Sequence, residues 1–198
     1  MPHRISDDGQ GEFPVISVGR FEGDLRALVT EWKFGRRTLL TRRLASMVVD
    51  TLEHCGKSGN VDVVTWAPTS DRRRRNRGYD QAEVLARCVG RQLRLPSRRL
   101  LHRIGGKSQT GRNRLDRLVD GPRFRARPVQ VPLRVLVVDD VVTTGSTLRS
   151  AGRALLAAGH RDVTLVALGS TPLSVVESRV GGAIRIARKL KEWPDSKV

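Results

Sequence analysis

The sequence predicts an α/β protein built on a doubly wound, mostly parallel β-sheet flanked by helices. Two observations predict this fold class: strand patterns alternate with helical patterns along the chain, and residues 135–138 are uninterruptedly apolar. A strand without polar alternation is typical of a parallel sheet covered on both faces. Alternation of such strands with helices favours the doubly wound arrangement over an antiparallel sandwich.

The N-terminal part predicts a short edge strand at residues 15–18 and two amphipathic helices. Asp24 is expected to cap the first helix, on which Trp32 is interpreted as a core residue rather than a platform for base stacking. The second helix has the apolar positions Leu40, Leu44, Met47, Val48 and Leu52.

The middle of the chain predicts another strand at residues 61–65, which Pro68 ends. Residues 71–79 are too charged to pack, and Asp80 with Glu83 then forms a capping-box-like helix start. Leu100 and Leu101 mark a further strand, and residues 105–132 form the least regular region. His102 and His160 have no partner visible in the sequence and are predicted to lie on the surface.

The strongest functional signal follows the apolar run at residues 135–138. Asp139 and Asp140 come where this strand is expected to end, which is the ligand-binding edge of an open α/β sheet. A short turn then leads into a helix with apolar residues at spacings of three and four, which Gly159 ends, and residues 163–168 form the last strand. The turn consists of Thr143, Thr144, Gly145, Ser146 and Thr147.

Together, the acid pair and the turn predict a site for ribose 5-phosphate. Backbone N–H groups and the helix dipole at a helix N-terminus suit a phosphate dianion. Two carboxylates cannot face that same phosphate, so they are expected to accept hydrogen bonds from sugar hydroxyls. The alternative without a binding site is a buried strand that ends in two solvated acids.

The residues exclude two other classes of protein that carry acids after an apolar strand. A P-loop would use residues 106–108, but Leu101 stands where that motif requires its first glycine. A response-regulator receiver has its acid pair near the start of the domain, whereas here only residues 141–198 follow it. Neither class is therefore predicted.

Composition points to a soluble protein with an anionic partner. The 198 residues have a formal net charge of +17 and are 38% hydrophobic, with no apolar stretch long enough to span a bilayer. The start of the chain lacks the apolar centre of a signal peptide, so a cytoplasmic location is expected and no membrane partner. Cys55 and Cys88 are far apart, so neither a disulfide nor a zinc site is expected.

The run at residues 135–147 resembles the phosphoribosyl-pyrophosphate (PRPP) signature of type I phosphoribosyltransferases, which has apolar residues, two acids, two variable positions and T-G-[ST]-T. The resemblance implies that Asp139 and Asp140 hold the ribose hydroxyls and, indirectly, the Mg²⁺ that accompanies PRPP. It places the 5′-phosphate on residues 143–147 and leaves the catalytic residues unknown.

A second segment is implied for the pyrophosphate of PRPP. In the family, a short loop after an early strand, together with Mg²⁺ and a basic loop, meets this leaving group. The corresponding residues here, which follow the strand at 61–65, are Ala67, Pro68, Thr69, Arg72, Arg73, Arg74, Arg75 and Arg77. Clustered guanidinium groups fit stabilisation of charge that moves onto pyrophosphate. A solvated charge run is the alternative.

Three flanking segments narrow the resemblance to the ComF family of competence proteins. Residues 77–82 read RGYDQA, residues 33–37 read KFGRR and residues 109–111 read QTG. The family implies PRPP binding and transfer of phosphoribosyl to a nitrogenous acceptor. The alternative is a non-catalytic factor of DNA uptake that binds single-stranded DNA or a competence helicase, with Trp32, Trp66 or Tyr79 stacking on bases.

The predicted organisation has three parts. Residues 1–45 form an N-terminal strand and helix that act as a hood over the site, without the cysteine-rich zinc segment that many family members have. Residues 46–175 form the phosphoribosyltransferase-like domain. Residues 176–198 are expected to be a weakly structured tail.

Overall fold

The computed structural model describes residues 3–5, 13–34, 38–70, 75, 78–104 and 122–171. The strands are β1 (His3–Ile5), β2 (Val15–Arg20), β3 (Val63–Trp66), β4 (Leu101–Ile104), β5 (Arg123–Ala126), β6 (Arg134–Val142) and β7 (Asp162–Ser170). The α-helices are α1 (Gly23–Phe34), α2 (Thr38–His54), α3 (Gln81–Leu93) and α4 (Ser146–Ala157).

Five of these strands form one sheet in the order β1-β2-β7-β6-β3. β2, β7, β6 and β3 are mutually parallel, and only β1 runs antiparallel to its neighbour β2. The predicted fold class, a mostly parallel sheet flanked by helices, is confirmed. The prediction of an edge strand at residues 15–18 is wrong, because β2 has a hydrogen-bonded neighbour on each side.

Helices cover both faces of the sheet, which explains the apolar character of β6. Leu136 and Val138 pack into a cluster with the buried faces of α1, α2 and α3. Val135 and Val137 point to the opposite face and pack with α4. All four side chains are at most 1% exposed, so no position in this run can be polar without a buried partner.

A two-stranded antiparallel ribbon lies outside the central sheet. It consists of β4 and β5, and buries Leu101 and Phe124 beside α4. The strand expected near Leu101 is therefore present, but in the ribbon. β5 falls in the region predicted to be irregular, because a four-residue strand with two arginines gives only a weak apolar pattern.

Two local predictions are corrected. Helix α1 begins at Gly23 and has Asp24 within its first turn, so Asp24 is not the residue preceding the helix. His160 is only 5% exposed, in a turn after α4 where its backbone N–H donates to the Leu155 carbonyl oxygen at 3.2 Å, whereas His102 is exposed as predicted. Trp32 is 3% exposed and donates from Nε1 to Thr41 Oγ1 at 2.9 Å, which confirms its core role.

The structure describes one boundary of the predicted three-part division, the one at residue 45. The limit at residue 45 falls inside α2, and β2 from the N-terminal part pairs with β7. The tail at residues 176–198 lies outside the described residues. Among the helices that the structure describes, none is long and apolar enough to cross a bilayer.

Candidate functional site

Asp139 and Asp140 lie near the C-terminal end of β6, in the middle of the parallel part of the sheet. The strand does not end at the acids, as the sequence predicted, but continues to Val142, because β7 pairs with it up to Ser170. The Asp140 N–H donates to Asp139 Oδ1 at 2.8 Å, and the Val141 N–H donates to Asp140 Oδ1 at 2.6 Å. Both carboxylates are thus oriented by the backbone that follows them.

The two acids differ electrostatically. Burial raises the pKa of Asp139 well above its usual range, and the neighbouring Asp140 charge raises it further. Asp140 instead has a counterion, since the Lys33 Nζ lies 2.6 Å from its Oδ2. Asp139 therefore retains a proton more readily than an ordinary carboxyl, and a protonated carboxyl can donate as well as accept hydrogen bonds, whereas Asp140 faces a cation.

Lys33 reaches the acid pair from the last turn of α1. Its Nζ lies 5.9 Å from the centre of the Phe21 ring, and Phe21 in turn packs on Gly169 of β7. A Cβ at Gly169 would lie 3.1 Å from the Phe21 Cβ, so a larger residue there would push the ring away. Sequence reasoning singled out residues 33–37 but assigned Lys33 no contact with the acids; Gly35, Arg36 and Arg37 lie outside the described residues.

The predicted phosphate turn lies directly before α4. Gly145 precedes the helix with φ +75°, a conformation that strains any other L-residue. The Arg149 N–H donates to Gly145 O at 2.9 Å, so the amides of residues 146–148 precede the first intrahelical bond. Thr143 and Thr144 are exposed, and Ser146 and Thr147 are partly exposed. Within the turn, the Ser146 N–H donates to Thr144 Oγ1 at 3.3 Å, and a phosphate on these amides stays a prediction.

Arg149 adds a cation that the sequence reasoning missed. Its Nη1 donates to Thr144 O at 2.7 Å, and its guanidinium lies 3.1 Å from the position of a Cβ on Gly145. The signal was present in the spacing, because a residue four positions after a helix cap lies one turn above it. Arg149 therefore places positive charge beside the amides of the turn.

The predicted pyrophosphate segment begins at the end of β3. Ala67 and Pro68 are buried and Thr69 is partly exposed. The Thr69 N–H donates to Asp80 Oδ2 at 2.9 Å, so in this structure that amide is engaged. Arg75 is exposed, whereas Arg72, Arg73, Arg74 and Arg77 lie outside the described residues.

Asp80 and Gln81 connect this segment to Lys33. Asp80 caps α3 by accepting from the Ala82 N–H at 3.1 Å and holds Thr69 at the same time. Burial raises the pKa of Asp80, while the hydrogen bonds from these backbone amides oppose that rise. Gln81 Nε2 donates to the Lys33 carbonyl oxygen at 2.9 Å. Two adjacent residues of the RGYDQA segment thus bind the predicted pyrophosphate segment and the end of α1.

The carboxylates suit magnesium only in part. Mg²⁺ prefers oxygen ligands and is commonly bound by one or two carboxylates together with substrate phosphates. Asp139 and Asp140 supply such oxygens, but the described residues contain no cluster of three or more acidic, His or Cys side chains that could cage a metal ion. The donor set therefore fits a Mg²⁺ that arrives with a phosphorylated ligand.

The parallel sheet with helices on both faces is a doubly wound α/β arrangement. In this class of protein, ligands bind at the C-terminal ends of the strands, which is where the acid pair and the turn before α4 lie. No family model matches the chain. Curated relatives do match it. The chain is 28% identical over 145 residues to competence protein ComFC of Streptococcus pneumoniae, covering 73% of this chain and 62% of the relative.

Two further relatives agree. Competence protein F of Haemophilus influenzae is 24% identical over 158 residues, covering 75% of this chain and 69% of that protein. DNA utilization protein YhgH of Escherichia coli K12 is 27% identical over 165 residues, covering 79% and 72%. The predicted resemblance to the ComF family is confirmed, and the chain spans less than two thirds of the Streptococcus relative's length.

Solved structures of phosphoribosyltransferases are more distant. Adenine phosphoribosyltransferase from Thermoanaerobacter pseudethanolicus is 12% identical with a TM-score of 0.45, covering 86% of this chain and 95% of that one. Purine phosphoribosyltransferase from Pyrococcus horikoshii is 18% identical with a TM-score of 0.43, covering 71% and 81%. Because both TM-scores lie below 0.5, nothing about activity follows from them.

Proposed function

We propose that this protein binds PRPP with Mg²⁺ and transfers its phosphoribosyl group to a nitrogenous acceptor, with release of pyrophosphate. The observation that carries the proposal is the order and geometry of the site along β6: two backbone-oriented carboxylates, then a turn whose amides precede the first bond of α4. A ribose 5-phosphate has hydroxyls for the first feature and a dianion for the second.

The electrostatics of the turn before α4 and of the acid pair support binding of the phosphate at the turn and of the hydroxyls at the acids. The turn joins the positive end of the α4 dipole with the Arg149 guanidinium, which favours a phosphate there. The acid pair would repel a phosphate but can bind hydroxyls, since Asp139 keeps a proton more readily than an ordinary carboxyl. The two ends therefore select opposite parts of the same ligand.

In the proposed reaction, the acceptor nitrogen attacks C1 of the ribose while the bond from C1 to the pyrophosphate oxygen breaks, so that no covalent enzyme intermediate is needed. The protein contributes position and charge: Asp139 and Asp140 hold the sugar, and the turn before α4 holds its 5′ end. When bound, Mg²⁺ supplies positive charge that stabilises the departing pyrophosphate. The arginines of residues 72–77 are proposed to assist on the same side.

The test removes the charge of the acid pair while preserving its shape. In Asp139→Asn with Asp140→Asn, we expect PRPP affinity in the presence of Mg²⁺ to fall by about a hundredfold or more, because hydrogen bonds to charged groups contribute about 1.5–3 kcal/mol each. Isothermal titration calorimetry measures this directly.

The matched control for that experiment changes the net charge equally. Asp24→Asn with Asp50→Asn alters two exposed carboxylates on α1 and α2, and should leave PRPP affinity unchanged. Equal binding by the acid-pair variant and the wild type would remove the proposed site.

A second candidate function is binding of single-stranded DNA, in line with the names of the competence and DNA-utilization relatives. The observation that favours it is an acid-free face: residues 94–104, 122–134 and 146–157, which include β4, β5 and α4, contain no Asp or Glu. On the ribbon, Arg125 faces His102 and Arg123 faces Ile104, all four side chains being exposed. Trp32 and Trp66 cannot stack on bases as predicted, because both are buried.

Salt dependence tests this second function. If the ribbon contacts the DNA backbone, Arg123→Ala with Arg125→Ala should reduce the slope of log affinity against log salt by about 1.4, two phosphate contacts at about 0.7 each. Fluorescence anisotropy with a labelled oligonucleotide measures the slope. Arg42→Ala with Arg43→Ala, two exposed arginines on α2, is the control. An equal change in both variants would indicate bulk charge rather than a binding face.

A further inference from the structure

Lys33 occupies the part of the acid pair that the proposed ligand needs. Its Nζ lies 2.6 Å from Asp140 Oδ2, and the side chains of Lys33 and Asp140 are only 19% and 22% exposed. The other oxygen, Oδ1, already accepts from the Val141 N–H at 2.6 Å. A sugar hydroxyl that donates to Asp140 therefore meets one oxygen that already accepts a hydrogen bond and another that faces the Lys33 ammonium.

The backbone of Lys33 is connected, through the start of α3, to the predicted pyrophosphate segment. Gln81 Nε2 binds the Lys33 carbonyl oxygen, and Asp80, the preceding residue, binds the Thr69 N–H, both at 2.9 Å. The end of α1 and the loop after β3 are thus attached to the same helix terminus. The four-carbon stem of a lysine is flexible, so the ammonium can move while the backbone stays in place.

The charges around Lys33 also favour a second anion for it. Asp80 and Asp140 both raise the pKa of Asp139, and Lys33 opposes them. The Lys33 ammonium therefore interacts with both acids of the pair, Asp139 and Asp140. If a neutral hydroxyl displaced Lys33 from Asp140, the partly buried cation would lose its ion pair unless the same ligand offered a new anionic group.

We propose that Lys33 is a specificity-determining residue that neutralises Asp140 in the empty site and moves to the pyrophosphate when the ribose hydroxyls bind the acids. The inference rests on the proposed function and goes beyond it by assigning a role to the KFGRR and RGYDQA segments. Its consequence is selectivity: a ligand with both a ribose diol and a pyrophosphate releases and re-engages Lys33, whereas ribose 5-phosphate only displaces it.

The experiment compares PRPP and ribose 5-phosphate, each with Mg²⁺, by calorimetry on the full chain. In Lys33→Met, PRPP affinity should fall by about tenfold to a hundredfold, as expected for loss of a charged hydrogen bond. Ribose 5-phosphate affinity should stay the same or rise, because its competitor at Asp140 is gone. Lys33→Arg should preserve most of the preference for PRPP.

Two controls separate this role from a structural one. Arg26→Met removes an exposed cation from the same helix and should change neither affinity. Thermal unfolding of Lys33→Met and Lys33→Arg establishes that each variant is folded at the temperature of the titration, and an unfolded Lys33→Met would be replaced in the comparison by Lys33→Gln.

The titrations distinguish failure of the Lys33 inference from failure of the proposed function. A wild-type protein that binds neither ligand would overturn the proposed function and this inference with it. A wild-type protein that binds PRPP, with Lys33→Met losing affinity for both ligands equally, would overturn the inference alone. Loss confined to PRPP, with rescue by Lys33→Arg, would support it.

Discussion

At the scale of single residues, His160 combines burial with two ring nitrogens that have no hydrogen-bond partner among the described residues. It follows α4 at the end of the sheet opposite to the acid pair. Burial lowers the pKa of His160 from its ordinary value of 6.5, because the charged ring would lose its hydration. The neutral imidazole is therefore the form that the fold accepts.

A pH dependence of stability follows from that shift. Since the folded pKa lies below 6.5, the unfolded chain takes up the proton first, and His160 destabilises the fold as the pH falls through 6.5 towards the folded value. We expect His160→Leu to lose less thermal stability than the wild type between pH 7.5 and about pH 5.5. His102→Leu, at an exposed position, is the control. An equal fall in Tm over this pH range for the wild type and His160→Leu would contradict the account.

The position of the two acids near the end of β6 could be predicted residue by residue, but the contacts that they make could not. Asp139 and Asp140 follow an apolar run, which is a local pattern. The Lys33 contact joins residues that are far apart in the chain, through a side chain on a different helix. Nothing in the spacing of Lys33 indicates this, because the packing of α1 on the sheet determines it.

At the scale of elements, the turn between β6 and α4 depends on Gly145. An alanine there would adopt a φ near +75° and place its Cβ 3.1 Å from the Arg149 guanidinium. We expect Gly145→Ala to lower the free energy of unfolding by about 1–2 kcal/mol, the cost of left-handed backbone for an L-residue. Chemical denaturation measures this loss.

The same substitution should weaken ribose 5-phosphate binding, because the strained turn and the displaced guanidinium both lie at the proposed phosphate position. Gly59→Ala is the control, since a Cβ at Gly59 would meet no atom within 4 Å and its φ is not positive. Equal stability of the Gly145→Ala and Gly59→Ala variants would show that the turn does not need glycine.

Strand and helix prediction succeeded where the pattern was long and apolar. Mainly apolar runs predicted β6 and β7, apolar positions at helical spacing predicted α2 and α4, and the structure confirms all four elements. The β4–β5 ribbon was predicted only in part, because its strands have four residues each and exposed cations on one face. For such strands, pairing across a long connection determines the structure, and local sequence carries little of that information.

At the scale of the whole molecule, charge is distributed unevenly. The carboxyls of Asp80 and Asp140 both raise the pKa of Asp139 near the C-terminal end of β6, whereas β4, β5 and α4 have no acidic residue. The net charge of +17 predicted an anionic partner without indicating where it binds. The fold brings segments 94–104, 122–134 and 146–157 to one face, which we propose as a binding surface for such a partner.

The central claim is that one ligand spans the acid pair and the turn before α4. A crystal structure of the protein with PRPP and Mg²⁺ tests it most directly. We expect the ribose hydroxyls within hydrogen-bond distance of Asp139 and Asp140, the 5′-phosphate on the amides of residues 144–147, and the Lys33 ammonium moved from Asp140 to the pyrophosphate. A ligand bound elsewhere, with the 2.6 Å contact between Lys33 and Asp140 intact, would contradict the account.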